Sequence, residues 1–224
     1  MYNLTNDQLN QNQWKHYSQL HQDSILEKIF NQIGTTNEVA VEFGARDGVD
    51  LSNSCNFRLN HNWKTYLFDG NAKGNLVHKE HLTAENIEEV FSRHRVPKEF
   101  DYLSIDLDNF DWYVLKAIVN YSPRVISVEY NSNIPVPLCK VVEYDPNSHW
   151  DNFSNFYGGS LSAFKKLGNH KGYQLVGKCE QLDLFFVRND LIDPQYIPPT
   201  ELELLPQPIT CHQPYNGKRI WVDV

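Results

Sequence analysis

Four apolar runs that each carry an acidic residue at their carboxyl end constrain the fold of this chain more than any other feature. The runs are EVAVEF, WKTYLFD, FDYLSID and RVISVE, and their acids are Glu42, Asp69, Asp106 and Glu129. Between the runs lie segments in which apolar residues recur at helical spacing. Strands that alternate with helices predict an α/β fold, a Rossmann-like doubly wound and mostly parallel sheet with helices on both faces.

The last strands depart from this alternation. Residues 173–190 have the sequence YQLVGKCEQLDLFFVRND, which predicts two strands around a short turn. Two strands so close in sequence form a C-terminal antiparallel hairpin at the edge of the sheet. We expect a single domain over residues 1–224, with an N-terminal extension over 1–22 and an extended Pro-rich tail over 190–224.

Composition and charge argue against several classes of protein. The chain has 224 residues and a formal net charge of -8, whereas non-specific nucleic-acid binding needs a basic face. No apolar run is long enough to span a membrane, and the first residues lack the regions of a secretory signal. The four cysteines form no CxxC pair, which indicates reduced thiols rather than a zinc site. We expect a cytoplasmic protein that binds no nucleic acid; the sequence does not indicate its oligomeric state.

The turn after the first strand has the composition of a ligand site. Ligands of open α/β sheets bind at the carboxyl ends of the strands. Gly44 and Gly48 in EFGARDG allow close backbone approach, although Arg46 stands where a dinucleotide fingerprint has its middle glycine. Asp69 follows Glu42 by about 27 residues, near the spacing of an acid that binds a ribose diol. A nucleoside ligand fits these residues better than a dinucleotide.

Several motifs, in order, resemble the FkbM-like group of S-adenosylmethionine-dependent methyltransferases. VEFGARDG resembles the glycine motif of that class I, Rossmann-like fold, and YLFDGN is similar to its ribose-binding segment. DYLSIDLDNFDWYVLKAI resembles the segment at the fourth strand, with Asn109 where the family has glycine. The likeness covers residues 18–189, and the family's fold also ends in a hairpin.

The resemblance implies a site and a cofactor. S-adenosylmethionine would be the methyl donor and S-adenosylhomocysteine the product. Glu42, Gly44, Ala45 and Gly48 would line its methionine part, and Arg46 could pair with its carboxylate. Asp69 would hold the ribose beside Gly70 and Asn71, and Asp106 and Asp108 would face the substrate. The cofactor-binding residues expected in full are Glu42, Gly44, Ala45, Arg46, Gly48, Asp69, Gly70, Asn71 and Asp106.

The acceptor is expected to be a small molecule or glycan, and O-methylation of a hydroxyl needs a base. Asp106, Asp108 and His149 are the candidate catalytic residues. A divalent cation on the two aspartates would serve the same end. We expect metal-independent action, because only two ligands are evident and Glu129 is expected to lie too far away. Asp111 is equally well explained as a helix cap.

Two other functions compete with methyl transfer. A metal-dependent glycosyltransferase would use the DLD acids to bind a metal with a nucleotide sugar, but the terminal hairpin and the acid after the second strand count against it. A methyltransferase fold without catalysis could instead bind a nucleoside or a protein partner. The irregular, aromatic-rich segment 131–159 is expected to cover the site in either case.

Overall fold

The structure, a computed structural model, describes residues 1–205, 207–209 and 211–224. The strands are β1 (Val39–Phe43), β2 (Lys64–Asp69), β3 (His78–Lys79), β4 (Glu99–Ile105), β5 (Ser122–Glu129), β6 (Lys140–Val142), β7 (Tyr173–Cys179), β8 (Asp183–Arg188) and β9 (Trp221–Asp223). The helices are α1 (Asn6–Leu9), α2 (Gln22–Ile33), α3 (Cys55–Asn60), α4 (Ile87–Arg93), α5 (Asp111–Ala117) and α6 (Leu161–His170).

Seven strands form one sheet in the order β3-β2-β1-β4-β5-β8-β7. The pairings from β3 to β5 are parallel, whereas β8 is antiparallel to both β5 and β7. The predicted fold class is therefore confirmed: a doubly wound, mostly parallel sheet ends in an antiparallel hairpin. Successive strands are added on one side of β1 up to β3 and on its other side from β4 onward. The boundary between β1 and β4 is therefore the topological switch point, where such folds bind ligands.

Side chains of the buried strands point alternately to the two faces of the sheet, and each face is covered by its own hydrophobic core. Val39, Val41 and Phe43 of β1 pack into the core that contains α4, α5 and α6. Ala40 packs into the opposite core, which contains side chains of α1, α2 and α3. Successive side chains of a strand point to opposite faces, so a strand buried on both faces has a continuous apolar run. This is why these runs show no polar face in the sequence.

Two predicted helices are shorter than their periodicity indicates. The apolar spacing of WYVLKAIVNY predicts a helix over 112–121, but α5 ends at Ala117, because the carboxylate of Glu88 accepts hydrogen bonds from the backbone N–H groups of Val119 and Asn120 at 2.7 and 2.6 Å. The spacing of LTAENIEEVFSRH likewise predicts a helix over 82–94, but α4 begins only at Ile87. Side-chain acceptors compete with the helical ladder at such ends.

A second, small sheet joins β6 to β9. Lys140–Val142 pairs antiparallel with Trp221–Asp223, and the ring of Trp221 lies 4.7 Å from that of Phe156. The pairing ties the segment after β5 to residues 211–224. The short elements α1, α3, β3, β6 and β9 were not predicted, since two to six residues are too few to establish a period.

All four cysteines are free thiols, with Cys55 and Cys179 buried and Cys211 exposed. Among the described residues, no helix has the length and apolar character needed to cross a membrane.

Candidate active site

The turn after β1 lies directly against the end of β4. Gly44 has φ +72°, and a Cβ at this position would lie 1.9 Å from the carbonyl oxygen of Asp106. Gly48 has φ +77°, and a Cβ there would meet Leu67 at 2.7 Å. Both positions therefore need glycine for space as well as for backbone conformation. Gly44 therefore sets how closely the β1 turn approaches Asp106, and Gly48 sets how closely the same turn approaches Leu67.

Asp69 lies at the end of β2 and fixes the turn from the other side. Its Oδ2 accepts a hydrogen bond from the backbone N–H of Arg46 at 2.9 Å, and its Oδ1 accepts one from Asn71 N–H at 2.6 Å. A carboxylate can accept about four hydrogen bonds. Its oxygens therefore keep capacity for a ligand diol after holding the loop.

Two adjoining cavities open at this edge of the sheet. They share Gly44, Asp69, Asn71, Asp106 and Asp108. The smaller, of about 130 Å³, is also lined by Gly70, Glu80, His81, Leu82, Leu107, Phe110 and His149. The larger, of about 580 Å³, is also lined by Gln19, Arg46, Leu51, Lys73, Glu129, Trp150, Asn152, Tyr157, Leu182, Ile209 and His212.

Most of the expected site residues border these cavities, but Glu42, Ala45 and Gly48 do not line either of them within the described part of the chain. The side chain of Glu42 is buried, and it accepts hydrogen bonds from the hydroxyls of Ser52 and Ser54 at 2.6 and 2.5 Å. Burial raises the pKa of this carboxyl, although the serine hydrogen bonds oppose the shift. Glu42 thus holds the loop after β1 rather than facing the cavities.

Three carboxylates converge where β4 and β5 end. Oxygens of Asp106, Asp108 and Glu129 lie within 4.8 Å of one another. The expectation that Glu129 lies too far from the two aspartates is therefore wrong. β4 and β5 are adjacent parallel strands with Ile105 paired to Val128, so the residues that follow these two positions emerge side by side.

The three acids repel one another in a partly desolvated place. Burial raises the pKa of Asp106 well above its ordinary value, and the charge of Asp108 raises it further. Burial and then Asp106 raise the pKa of Glu129. Asp108 is exposed to the cavity, yet desolvation by the surrounding residues and then the charge of Asp69 raise its pKa, with smaller opposite effects from Arg46 and His149. The site therefore favours neutral carboxyls or a bound cation.

Asp108 also has an unusual backbone. Its φ is +61°, in the left-handed region that non-glycine residues rarely occupy. Asn109 follows it, and its Nδ2 donates to the hydroxyl of Ser148 at 2.6 Å. This amide, at the position where the resemblance expects glycine, links the acid loop to the covering segment. Backbone outliers of this kind concentrate at functional sites.

Asp111 is the first residue of α5 and anchors the same loop. Its Oδ1 accepts a hydrogen bond from the backbone N–H of Leu107 at 2.6 Å, while its buried Oδ2 has no partner among the described residues. Burial raises the pKa of this carboxyl to about 7. Asp111 therefore shapes the loop that presents Asp108 and does not line either cavity.

Arg46, the expected partner of the cofactor carboxylate, and His149, a candidate base, both border the cavities near the acid cluster. Arg46 borders the larger cavity, but its Nη2 lies 3.6 Å from Asp50, and no ion pair joins it to Asp106 or Asp108 in the described chain. His149 is exposed and borders only the smaller cavity, with its ring 6.4 Å from that of His81.

Several residues that line the larger cavity were not predicted from the sequence, including His212, Gln19 and Lys73. The ring of His212 lies 5.3 Å from that of Trp150 and 5.5 Å from that of Tyr157. Burial lowers the pKa of this histidine. It comes from the Pro-rich tail, which has no periodicity that could have indicated its position.

Comparisons with known proteins add little to this geometry. No family model matches the sequence, and no curated protein matches it. Among solved structures, the chain is similar to the CMeT domain of the citrinin polyketide synthase, with 11% sequence identity and a TM-score of 0.38. The match covers 75% of this chain and 51% of that one, so the chain spans about half the length of the matched structure. The fold assignment made above depends on the strand order and not on this likeness.

Proposed function

We propose that the protein is an S-adenosylmethionine-dependent methyltransferase of the FkbM-like group that methylates a hydroxyl of a small molecule or glycan. The observation that carries the proposal is the meeting of Gly44, Asp69 and Asp106 around shared cavities at the switch point of the sheet. The motifs VEFGARDG, YLFDGN and DYLSIDLDNFDWYVLKAI supply these residues in the family's order.

The residues present fit the cofactor. Asp69 borders both cavities and would hold the ribose, with Gly70 and Asn71 beside it. Leu82 and Phe110 give the smaller cavity apolar surface suited to a flat base. Arg46 would pair with the cofactor's carboxylate from the larger cavity. Bound S-adenosylmethionine supplies a methyl carbon activated by a positively charged sulfur.

The chain's own contribution is to position the acceptor and remove its proton. As the acceptor oxygen bonds to the methyl carbon, the C–S electron pair passes to sulfur and the hydroxyl proton must leave. Asp106 and Asp108 line the larger cavity, and either carboxylate, when ionised, would accept that proton. His149 borders the smaller cavity and is the remaining candidate base.

The aromatic wall favours a hydroxylated acceptor. Trp150 and Tyr157 line the larger cavity together with the three acids, and their ring centroids lie 4.9 Å apart. A cavity with both flat apolar surface and hydrogen-bond acceptors suits the two kinds of surface on a sugar or polyol.

Calorimetry with S-adenosylhomocysteine tests the proposal. We expect binding by the wild type and about 10- to 150-fold weaker binding by Asp69→Ala, equivalent to a charged hydrogen bond of about 1.5–3 kcal/mol. Asp193→Ala is a matched control, because Asp193 accepts a hydrogen bond from the N–H two residues on, as Asp69 does, but borders neither cavity. Equal affinity in wild type and Asp69→Ala would remove Asp69 from the site.

The same protein preparation separates the competing functions. Binding with methyl transfer to hydroxylated acceptors supports the proposal. Turnover of a nucleotide sugar without any cofactor binding would instead identify a glycosyltransferase. Cofactor binding without turnover on a broad acceptor panel would favour a non-catalytic binding protein.

A further inference from the structure

The protein provides no partner for the three converging carboxylates. Asp106, Asp108 and Glu129 accept no side-chain hydrogen bond and form no ion pair with any residue that the structure describes. Buried acids elsewhere in the protein differ. Glu42 accepts hydrogen bonds from Ser52 and Ser54, and the carboxylate of Asp183 accepts one from Gln22 Nε2 at 2.8 Å. Asp106 and Glu129 are partly buried and Asp108 is exposed to the cavity, and uncompensated like charges in a partly desolvated place are costly, so the cluster requires an explanation beyond folding.

A second, independent feature points at the same space. Tyr157 is only 2% exposed and lines the larger cavity with Asp108 and Glu129. Its hydroxyl forms no hydrogen bond within the described chain. Burial, followed by the charge of Glu129, raises the pKa of this phenol, so it is a neutral donor. Because this hydroxyl is not one of the fully buried atoms without a partner, it reaches the open space of the larger cavity, where it can donate a hydrogen bond to a bound molecule.

The spacing of the acids matches a small, hard cation. Oxygen ligands lie about 2.0–2.6 Å from Mg²⁺ or Ca²⁺, so two ligands of one ion are at most about 4–5 Å apart. The carboxylate oxygens here all lie within 4.8 Å of one another. A site made of carboxylate oxygens, with no nitrogen or sulfur ligand, suits hard cations such as Mg²⁺ or Mn²⁺.

We propose that Asp106, Asp108 and Glu129 bind one divalent hard cation, Mg²⁺ or Mn²⁺, whose open positions in the larger cavity ligate hydroxyl oxygens of the acceptor. The cation site depends only on the geometry described here, whereas its role depends on the proposed function. The acceptor class then narrows to molecules with two adjacent oxygens, such as a vicinal diol, because these occupy two open positions at once. Tyr157 donates a hydrogen bond to an acceptor oxygen or a bound water.

The role of the proposed cation in methyl transfer follows from its effect on the acidity of the acceptor hydroxyl. A hydroxyl on a divalent cation loses its proton more easily. That proton passes to solvent water, the freed oxygen electron pair bonds to the methyl carbon, and the C–S pair passes to the sulfonium sulfur, which becomes a neutral thioether. The three acids then act as ligands rather than as the base.

Titration of the full-length protein with Mn²⁺, followed by the electron paramagnetic resonance signal of free Mn²⁺, tests the site. We expect one bound Mn²⁺ per chain, displaced by excess Mg²⁺, and more than about tenfold weaker binding by Glu129→Gln. Glu129→Gln should remain folded in a thermal melt, because the change removes a repelling charge. Wild-type protein with no bound Mn²⁺, or Glu129→Gln with unchanged affinity, would overturn the proposal.

Asp69→Asn is the matched control, since Asp69 borders the same cavities but lies outside the cluster. It should keep its Mn²⁺ affinity and lose affinity for S-adenosylhomocysteine, and Glu129→Gln should show the reverse. Equal loss of Mn²⁺ in both variants would indicate only a diffuse negative potential and would overturn the cation site. Mn²⁺ binding without any cofactor binding would support the site while rejecting the methyltransferase function.

Discussion

The two ends of β4 carry acids in opposite chemical situations. Near its start, Asp101 is fully buried and accepts hydrogen bonds from Arg124 Nη1 at 2.7 Å and from the backbone N–H groups of Thr36, Asn37 and Glu38 at 2.7–3.0 Å. Just past its end, Asp106 has two close acidic neighbours and no donor from the described residues. One strand therefore holds a satisfied acid at one end and an unsatisfied acid at the other.

The pKa values of Asp101 and Asp106 are shifted in opposite directions. Burial alone would raise the pKa of Asp101, but Arg124 and the backbone donors outweigh it and hold the pKa below its ordinary value. Burial raises the pKa of Asp106, and Asp108 adds to the shift. Burial by itself does not separate a structural acid from a functional one. The difference lies in whether the protein fills the lone pairs of the carboxylate or leaves them for a ligand.

Substitution of Asp106 should have the largest effect on activity and little effect on stability. We expect Asp106→Asn to lower methyl transfer by about 10²–10⁴-fold, because it removes either the base of the reaction or a ligand of the proposed cation. Its free energy of unfolding should stay equal or rise, because a repelling charge is removed. Transfer from a radiolabelled donor and urea denaturation measure the two quantities. Unchanged turnover would show that this acid is structural.

Substitution of Asp101 should have the reverse effect. Asp101→Asn leaves Arg124 buried without its charge partner, which should lower the free energy of unfolding by about 3–5 kcal/mol. Asp190→Asn is the control, since its pair with Arg188 is on the surface and is worth about 1 kcal/mol or less. Folded Asp101→Asn should still bind S-adenosylhomocysteine. Similar denaturation midpoints for the two variants would refute the comparison.

The smallest expected effect concerns pH and Asp183. Burial raises its folded pKa from 3.8 to about 6, so the folded protein binds a proton that the unfolded chain has already lost. Stability from this residue is therefore greatest below about pH 4 and declines by about 2–3 kcal/mol up to about pH 6. Asp183→Asn should flatten that decline in denaturation curves from pH 4 to 7. Asp101 acts with the opposite sign, because its stabilisation is lost as the pH falls below about 4.

The parts of the fold that were predictable are those set by local periodicity. The β1, β2, β4 and β5 runs and the final hairpin were evident because each is a continuous apolar stretch with turn residues at its ends. The direction in which the Glu42 side chain points could also have been predicted from the sequence. It lies between Val41 and Phe43, whose side chains occupy one core, so alternation directs Glu42 to the opposite face.

The part of the cavity wall formed by Trp150, Tyr157 and His212 was not predictable, since it is assembled by contacts between residues far apart in the chain. Tyr157 and His212 are more than fifty positions apart and meet only in the folded protein. Neither lies in a periodic segment, so no local signal indicates which way its side chain points. The closeness of Glu129 to the aspartates likewise depends on how β4 and β5 end, and a residue pattern does not contain that distance.

The small sheet of β6 and β9 has a consequence for the wall of the cavity. Residues on either side of β6, and residues of the tail before β9, contribute to the same wall. Separating the tail from the wall therefore means breaking a whole three-residue ladder and the contact between Phe156 and Trp221 at once. The small sheet therefore holds together two parts of the cavity wall that are far apart in the chain.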